Sequence, residues 1–250
     1  MAEALSSSLG TTPRPATDED FDYFKKLADI DKGWSRQYDS NGIVVWTQTS
    51  EVSSIKLLRV QYVFQDISAD VLYDVIHDPD YRRVWDDHMI DGFEICTLDA
   101  TNDIGYYSVK CPPGVTNRDF VNERSWRVND EEYMIFNHTV YHKDHPEKKN
   151  FVRAFSYLTG YVLRPQENGA CAFTYVTQTD MKGWIPAWLT NKAATFFAPK
   201  IIEKLHKASL GYVEWKKEHK PEFKPWLKPE QMTKPTPLEQ LVVPDTTQQS

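Results

Sequence analysis

Six strand-length segments, near residues 89–98, 103–111, 119–128, 132–141, 151–163 and 171–179, follow one another with only turn signals such as Asn129-Asp130 and Asn168-Gly169 between them. Connections this short join antiparallel neighbours, because a parallel crossover needs a dozen or more residues. A segment of helical period then runs from Ile185 to about Lys217, with Leu189, Ala193, Phe196, Ile201, Leu205, Ala208 and Tyr212 recurring on one face. The lengths predict one long antiparallel sheet closed by one long C-terminal helix. Pro199 falls inside the helical pattern and predicts a kinked axis.

The N-terminal part adds a few elements. Residues 1–17 are small, polar and Pro-containing and read as a flexible leader. An amphipathic helix follows, capped by Thr17 or Asp18, with Phe21, Phe24 and Leu27 on one face and Gly33 after its end. Ile43 to Thr47, bounded by Asn41-Gly42, and Ile55 to Phe64 read as paired strands. Ser68 caps a short helix over Ala69 to Ile76, and Asp78-Pro79 starts another. In the tail, Trp215, Phe223 and Trp226 alternate with lysines whose charge is nearly cancelled by Glu214, Glu218, Glu222 and Glu230. That balance favours an extended segment packed back on the domain over a polybasic membrane anchor. The chain therefore divides into a leader (1–17), a single domain with a C-terminal extension (18–228) and a disordered tail (229–250).

Composition excludes several function classes. A net charge of −7 offers no basic face for phosphodiester backbones, so no nucleic-acid partner is expected. The start of the chain carries neither a basic nor an apolar targeting stretch, and no run approaches the roughly 18 apolar residues of a membrane span. A cytoplasmic protein that touches membranes only peripherally is expected. Cys96, Cys111 and Cys171 are odd in number and widely spaced, as suits reduced thiols. Gly-x-Ser-x-Gly, Gly-x-Gly-x-x-Gly and phosphate-loop patterns are absent, and His138, His142, Asp144 and His145 read as solvated charge rather than a metal set. No cofactor, no metal and no catalytic residue are assigned.

The polar residues that invite explanation lie in Tyr81-Arg82-Arg83-Val84-Trp85-Asp86-Asp87. On a helix Arg82 and Asp86 share a face, and the flanking aromatics suggest partial burial, where a charge needs a partner. An arginine in an aromatic cavity points to an anionic ligand. A second cluster runs from Gly105 to Phe120 as a strand, a Pro112-Pro113-Gly114 loop and a new strand opening Asn117-Arg118-Asp119, with Arg118 and Asp119 expected to pin the loop.

Tyr81-Arg82-Arg83-Val84-Trp85-Asp86, Asn117-Arg118-Asp119, Arg153, Pro186-x-Trp188-Leu189 and the closing helix, in this order over roughly residues 18–217, resemble the START family of StAR-related lipid-transfer domains, within it the phosphatidylcholine-transfer branch. The resemblance implies an α+β helix-grip fold: a curved antiparallel sheet wrapped around a long C-terminal helix, enclosing a lipid tunnel. It implies that Arg82 takes the lipid phosphate, that Asp86 orients Arg82, and that Tyr107, Phe120 and Tyr157 surround the choline. Tyr107 and Phe120 stand where the branch has a tryptophan and a tyrosine, which extends the expected headgroups to phosphatidylethanolamine. The implied ligand is one phospholipid, shuttled between membranes by a monomer, through a gate formed by Pro112, Pro113 and Gly114 with Phe196 and Phe197 of the helix. A sterol or another hydrophobic small molecule in the same fold, and a hydrolase or cyclase using the cavity, are the competing readings.

Overall fold

The structure, a computed structural model, describes residues 9–186 and 198–241. Helix α1 (Asp18–Asp29) leads into strands β1 (Ser35–Ser40), β2 (Ile43–Gln48) and β3 (Leu57–Phe64). Helices α2 (Ala69–His77) and α3 (Pro79–Trp85) interrupt the strands. Then come β4 (Met89–Asp99), β5 (Asn102–Val109), β6 (Arg118–Val128), β7 (Tyr133–Thr139), the two-residue β8 (Val152–Arg153), β9 (Phe155–Pro165) and β10 (Cys171–Asp180), followed by helix α4 (Ala198–Glu218). One sheet holds the strands in the order β1-β2-β3-β10-β9-β7-β6-β5-β4, antiparallel throughout, with β8 joined to β6 in parallel. The α+β helix-grip architecture is therefore present, the sheet gripping α4.

Local signals set the elements. Asn41 and Gly42 both take positive φ (53° and 75°) in the tight turn joining β1 to β2; β1 itself carries no sequence pattern that announces it. Thr17 and Asp20 form a reciprocal capping box at the start of α1. The Ser68 hydroxyl accepts from the Val71 amide, and the Asp78 carboxylate accepts from the amides of Asp80 (3.0 Å) and Tyr81 (3.1 Å) with Pro79 in the first turn of α3.

The two faces of the sheet have separate cores. On the outer face, Phe21, Phe24 and Ala28 of α1 pack on Phe136, Leu158, Val162 and Val176. On the inner face, α2 and α4 pack with Val60, Phe64, Ile135 and Phe173. Gly160 lets α1 approach: a Cβ there would stand 2.5 Å from the Ile135 carbonyl oxygen and 2.6 Å from the Phe24 ring.

Three expectations need correction. The leader is bound from Leu9 onward: Tyr141 donates to the Thr11 carbonyl, the Arg14 amide to Glu123, and the Ala16 amide to Asn102. Residues 229–241 are also attached, with the Thr236 amide donating to Thr97 of edge strand β4 and Leu241 buried beside Cys96, Leu98 and Ile104. Composition announced looseness in both, but backbone hydrogen bonds to the sheet order them. Ile185 and Pro186 are not helical, α4 is described only from Ala198, and the kink expected at Pro199 lies at the edge of the described residues.

Candidate functional site

Between the inner face of the sheet and α4 lies a cavity of about 690 Å³. Its walls are mostly apolar, including Leu58, Val60, Ile76, Met89, Ile135 and Met181. Polar groups enter at a few places, and two of them are arginines.

Arg82 reaches the cavity from α3. Its Nε donates to Asp86 Oδ2 at 3.4 Å, and its guanidinium carbon lies 5.4 Å from the Trp85 ring centroid and 5.2 Å from that of Tyr107. Asp86 is held in turn by the Tyr107 hydroxyl, which donates to the same oxygen at 2.5 Å. Tyr161 of β9 lines the same cavity and feels the Arg82 charge. Burial raises the hydroxyls of Tyr107 and Tyr161 above their ordinary pKa, so both stay protonated. Asp86 is the sole carboxylate paired with Arg82 among the described residues, and it engages Nε, leaving the terminal amino groups free of any charged partner.

Arg124 shows the contrast. It lies in the same cavity, but its Nε (3.1 Å) and one Nη both donate to Asp103, forming a closed bidentate pair. A new anion can therefore dock at Arg82 far more readily than at Arg124.

Helix α3 is itself tied to α4. The carboxylate of Asp78, 2% exposed, also accepts from the Tyr212 hydroxyl (3.1 Å) and the Lys216 ammonium (2.8 Å), and the Tyr81 hydroxyl donates to the Ala208 carbonyl (2.7 Å). At the end of α2, His77 is buried with neither ring nitrogen bonded; burial, assisted by Arg124, holds its pKa well below the ordinary value, so it is neutral. The C-terminal extension returns over this region, where Trp226 donates to Asp74 at 2.7 Å and stacks on His77, as the aromatic content of the tail led us to expect.

The expected site residues separate into three groups. Arg82, Asp86, Tyr107 and Phe120 come together, with the last two rings 6.4 Å apart. Tyr157 does not join them. Gln178 pairs with Leu158 but Thr179 pairs with Ser156, so Tyr157 is the extra residue of a β-bulge, and the strand changes phase there. Tyr157 lies instead against Phe155 in a smaller outer cavity of about 370 Å³, and Tyr161 is the β9 ring that reaches Arg82. Strict alternation, the rule available from sequence, cannot reveal such a bulge.

Of the gate residues, Pro112 to Gly114 form a turn closed by the Val115 amide on the Pro112 carbonyl, and none of them lines the cavity. Phe196 and Phe197 lie outside the described residues. The loop is nevertheless fixed in an informative way. Arg118, 1% exposed, donates to the carbonyls of Thr116, Met181, Lys182 and Trp184, joining the end of this loop to the segment that precedes α4. Asp119 pairs instead with Arg153 through two bonds of 2.9 and 3.0 Å.

A family model for the START domain matches residues 16–216. The chain belongs to the START family. START domain-containing protein 10 of mouse is 40% identical over 220 residues, covering 88% of this chain and 76% of that protein; the human protein is likewise 40% identical, over 94% of this chain and 84% of its own length. The phosphatidylcholine transfer protein of mouse is 27% identical over 72% of this chain and 85% of its own. The crystal structure of human STARD10 superposes with a TM-score of 0.88 at 39% identity, covering 96% of this chain and 99% of that one. The chain is thus a START lipid-transfer protein. No described helix is long and apolar enough to cross a membrane.

Proposed function

We propose that the protein carries one glycerophospholipid, phosphatidylcholine or phosphatidylethanolamine, and moves it between membranes as a cytoplasmic, peripherally associating protein. The observation that carries this reading is Arg82, a cavity arginine whose single carboxylate partner occupies Nε and leaves the forked end for a phosphate. Tyr107, Phe120 and Tyr161 stand around it to attract the headgroup cation. Acyl chains are as well sheltered in a bilayer as in the cavity, so selection comes from the headgroup. Carriage needs no covalent step. The phosphatidylcholine transfer proteins among its relatives support the ligand class.

Membrane contact is assigned to the cavity mouth. Ile201 both lines the cavity and is 37% exposed, and Trp184, 70% exposed, follows shortly after cavity-lining Met181 on backbone that Arg118 fixes. A rigidly presented tryptophan suits the headgroup layer of a bilayer.

Purified protein incubated with phosphatidylcholine vesicles and examined by native mass spectrometry should hold one phospholipid. Arg82→Gln should lower that occupancy by roughly a hundredfold, the loss of two charge-assisted bonds. Empty wild-type protein, or a variant that loads phospholipid as well as the wild type, overturns the reading. A variant that still binds a sterol equally well would shift the assignment to a neutral ligand.

A further inference from the structure

The β9 bulge that displaces Tyr157 also gathers Ser156 and Thr159 on the cavity side, opposite Thr177 and Thr179 of β10. Their four hydroxyls form one cluster: Ser156 to Thr159 at 3.0 Å, Thr159 to Thr177 at 2.8 Å, Thr159 to Thr179 at 3.2 Å, Thr177 to Thr179 at 3.1 Å and Thr179 to Ser156 at 3.4 Å. A hydroxyl cluster is an unexpected lining for a space that holds only hydrocarbon.

Its stoichiometry shows what it can bind. Four hydroxyls own four protons and eight lone pairs. Even if every proton is spent inside the cluster, four lone pairs remain open. With its protons kept inside, the cluster can thus accept from a donor-rich group. It is also continuous with the phosphate site. Thr159 and Thr177 are cross-strand partners, as are Tyr161 and Tyr175 two positions further along, whose rings lie 5.2 Å apart, and all four line the cavity that Arg82 enters. Two strand positions are about 6.6 Å, and an oxygen and two carbons separate phosphorus from nitrogen in phosphoethanolamine. The hydroxyl cluster and Arg82 thus line one and the same cavity.

Resting on the phospholipid reading above, we propose that Ser156, Thr159, Thr177 and Thr179 form an ammonium-accepting subsite that selects primary-amine phospholipids over quaternary ones. A primary ammonium brings three N–H donors to the open lone pairs. A quaternary ammonium brings none and relies on the rings of Tyr107, Phe120 and Tyr161, which do not distinguish the two as sharply.

The test is competitive loading from vesicles holding equal amounts of phosphatidylethanolamine and phosphatidylcholine with matched chains, followed by extraction and mass spectrometry. Valine replaces threonine with nearly the same shape and is at home in a strand, so Thr159→Val with Thr177→Val should keep phosphatidylcholine loading as the control of folding. The ratio of phosphatidylethanolamine to phosphatidylcholine should fall roughly tenfold, the effect of about one hydrogen bond to a charged group. Thr159→Ser with Thr177→Ser should keep the wild-type ratio. An unchanged ratio in the valine variant, or equal loss of both lipids, overturns the subsite while leaving the phospholipid assignment intact. If the wild type takes up neither lipid, both proposals fail together.

Discussion

Asp78 caps the helix that carries Arg82 and anchors α4 through the same carboxylate, so its charge can be removed with little change of shape. In Asp78→Asn, an amide oxygen facing the Asp80 and Tyr81 amides preserves the cap. The amide nitrogen then faces the Tyr212 hydroxyl and the Lys216 ammonium, two donors where both previously met an acceptor. Lys216 is 7% exposed, and stripping one partner from a buried pair costs about 3–5 kcal/mol. Asp74, close enough to feel the Lys216 charge, compensates in part, which places the expected loss near the lower figure, about 3 kcal/mol. For a domain of this size that is a fall in Tm of about 6–12 °C. Thermal unfolding followed by circular dichroism measures it. The double variant Asp78→Asn with Lys216→Met separates the pair from the cap: if the ion pair is the cause, the second change recovers much of the loss. A single-variant cost below about 1 kcal/mol, or strictly additive losses, would refute the reasoning.

Other outcomes follow from particular sites. Gly160→Ala should destabilise by at least about 1–3 kcal/mol, read as a lower denaturation midpoint, since the new Cβ meets the Ile135 carbonyl and the Phe24 ring at distances that neither strand nor helix can relieve; an unchanged midpoint contradicts the close approach. Burial pushes the Glu123 carboxyl up to about 8, against the opposing pull of the Arg14 amide and charge. The folded state therefore binds more protons than the unfolded state from about pH 4.5 to pH 8, and stability falls as pH rises through that window. Glu123→Gln should flatten this slope in denaturant titrations at successive pH values; a slope that persists removes Glu123 as its source. Trp184→Ser should slow phospholipid transfer between vesicles severalfold at unchanged occupancy, measured by fluorescence dequenching, and equal rates would take Trp184 out of membrane contact.

What could be read from the sequence was whatever is decided within a few residues. Ser68, Asp78-Pro79 and the Arg82–Asp86 spacing each follow from one turn of helix, and all three hold. Tyr157 failed because the phase of β9 depends on how β10 pairs with it, information that β9 does not contain. Tyr161, which stands at Arg82 instead, carried no separate signal. Arg124 and Asp103 stand on different strands, and only the β5–β6 register makes them partners. The leader and tail looked loose because their composition is polar and Pro-rich, yet their order comes from distant strands, through Glu123, Asn102 and Thr97.

The attachments of α4 are unequal along its length. Its C-terminal half is fastened by buried bonds at Ala208, Tyr212 and Lys216, whereas Lys204 with Asp87 and His206 with Asp66 hold the N-terminal half through exposed pairs. Exposed pairs each contribute under about 1 kcal/mol, so the N-terminal half is held chiefly by the burial of Ala198, Ile202 and Leu205, whereas the C-terminal half adds buried polar bonds to its packing. The polar anchoring of the helix is thus concentrated around Tyr212 and Lys216. One carboxylate, that of Asp78, therefore fixes both this end of α4 and the first turn of the helix that carries Arg82, so a single substitution there loosens two walls of the cavity at once.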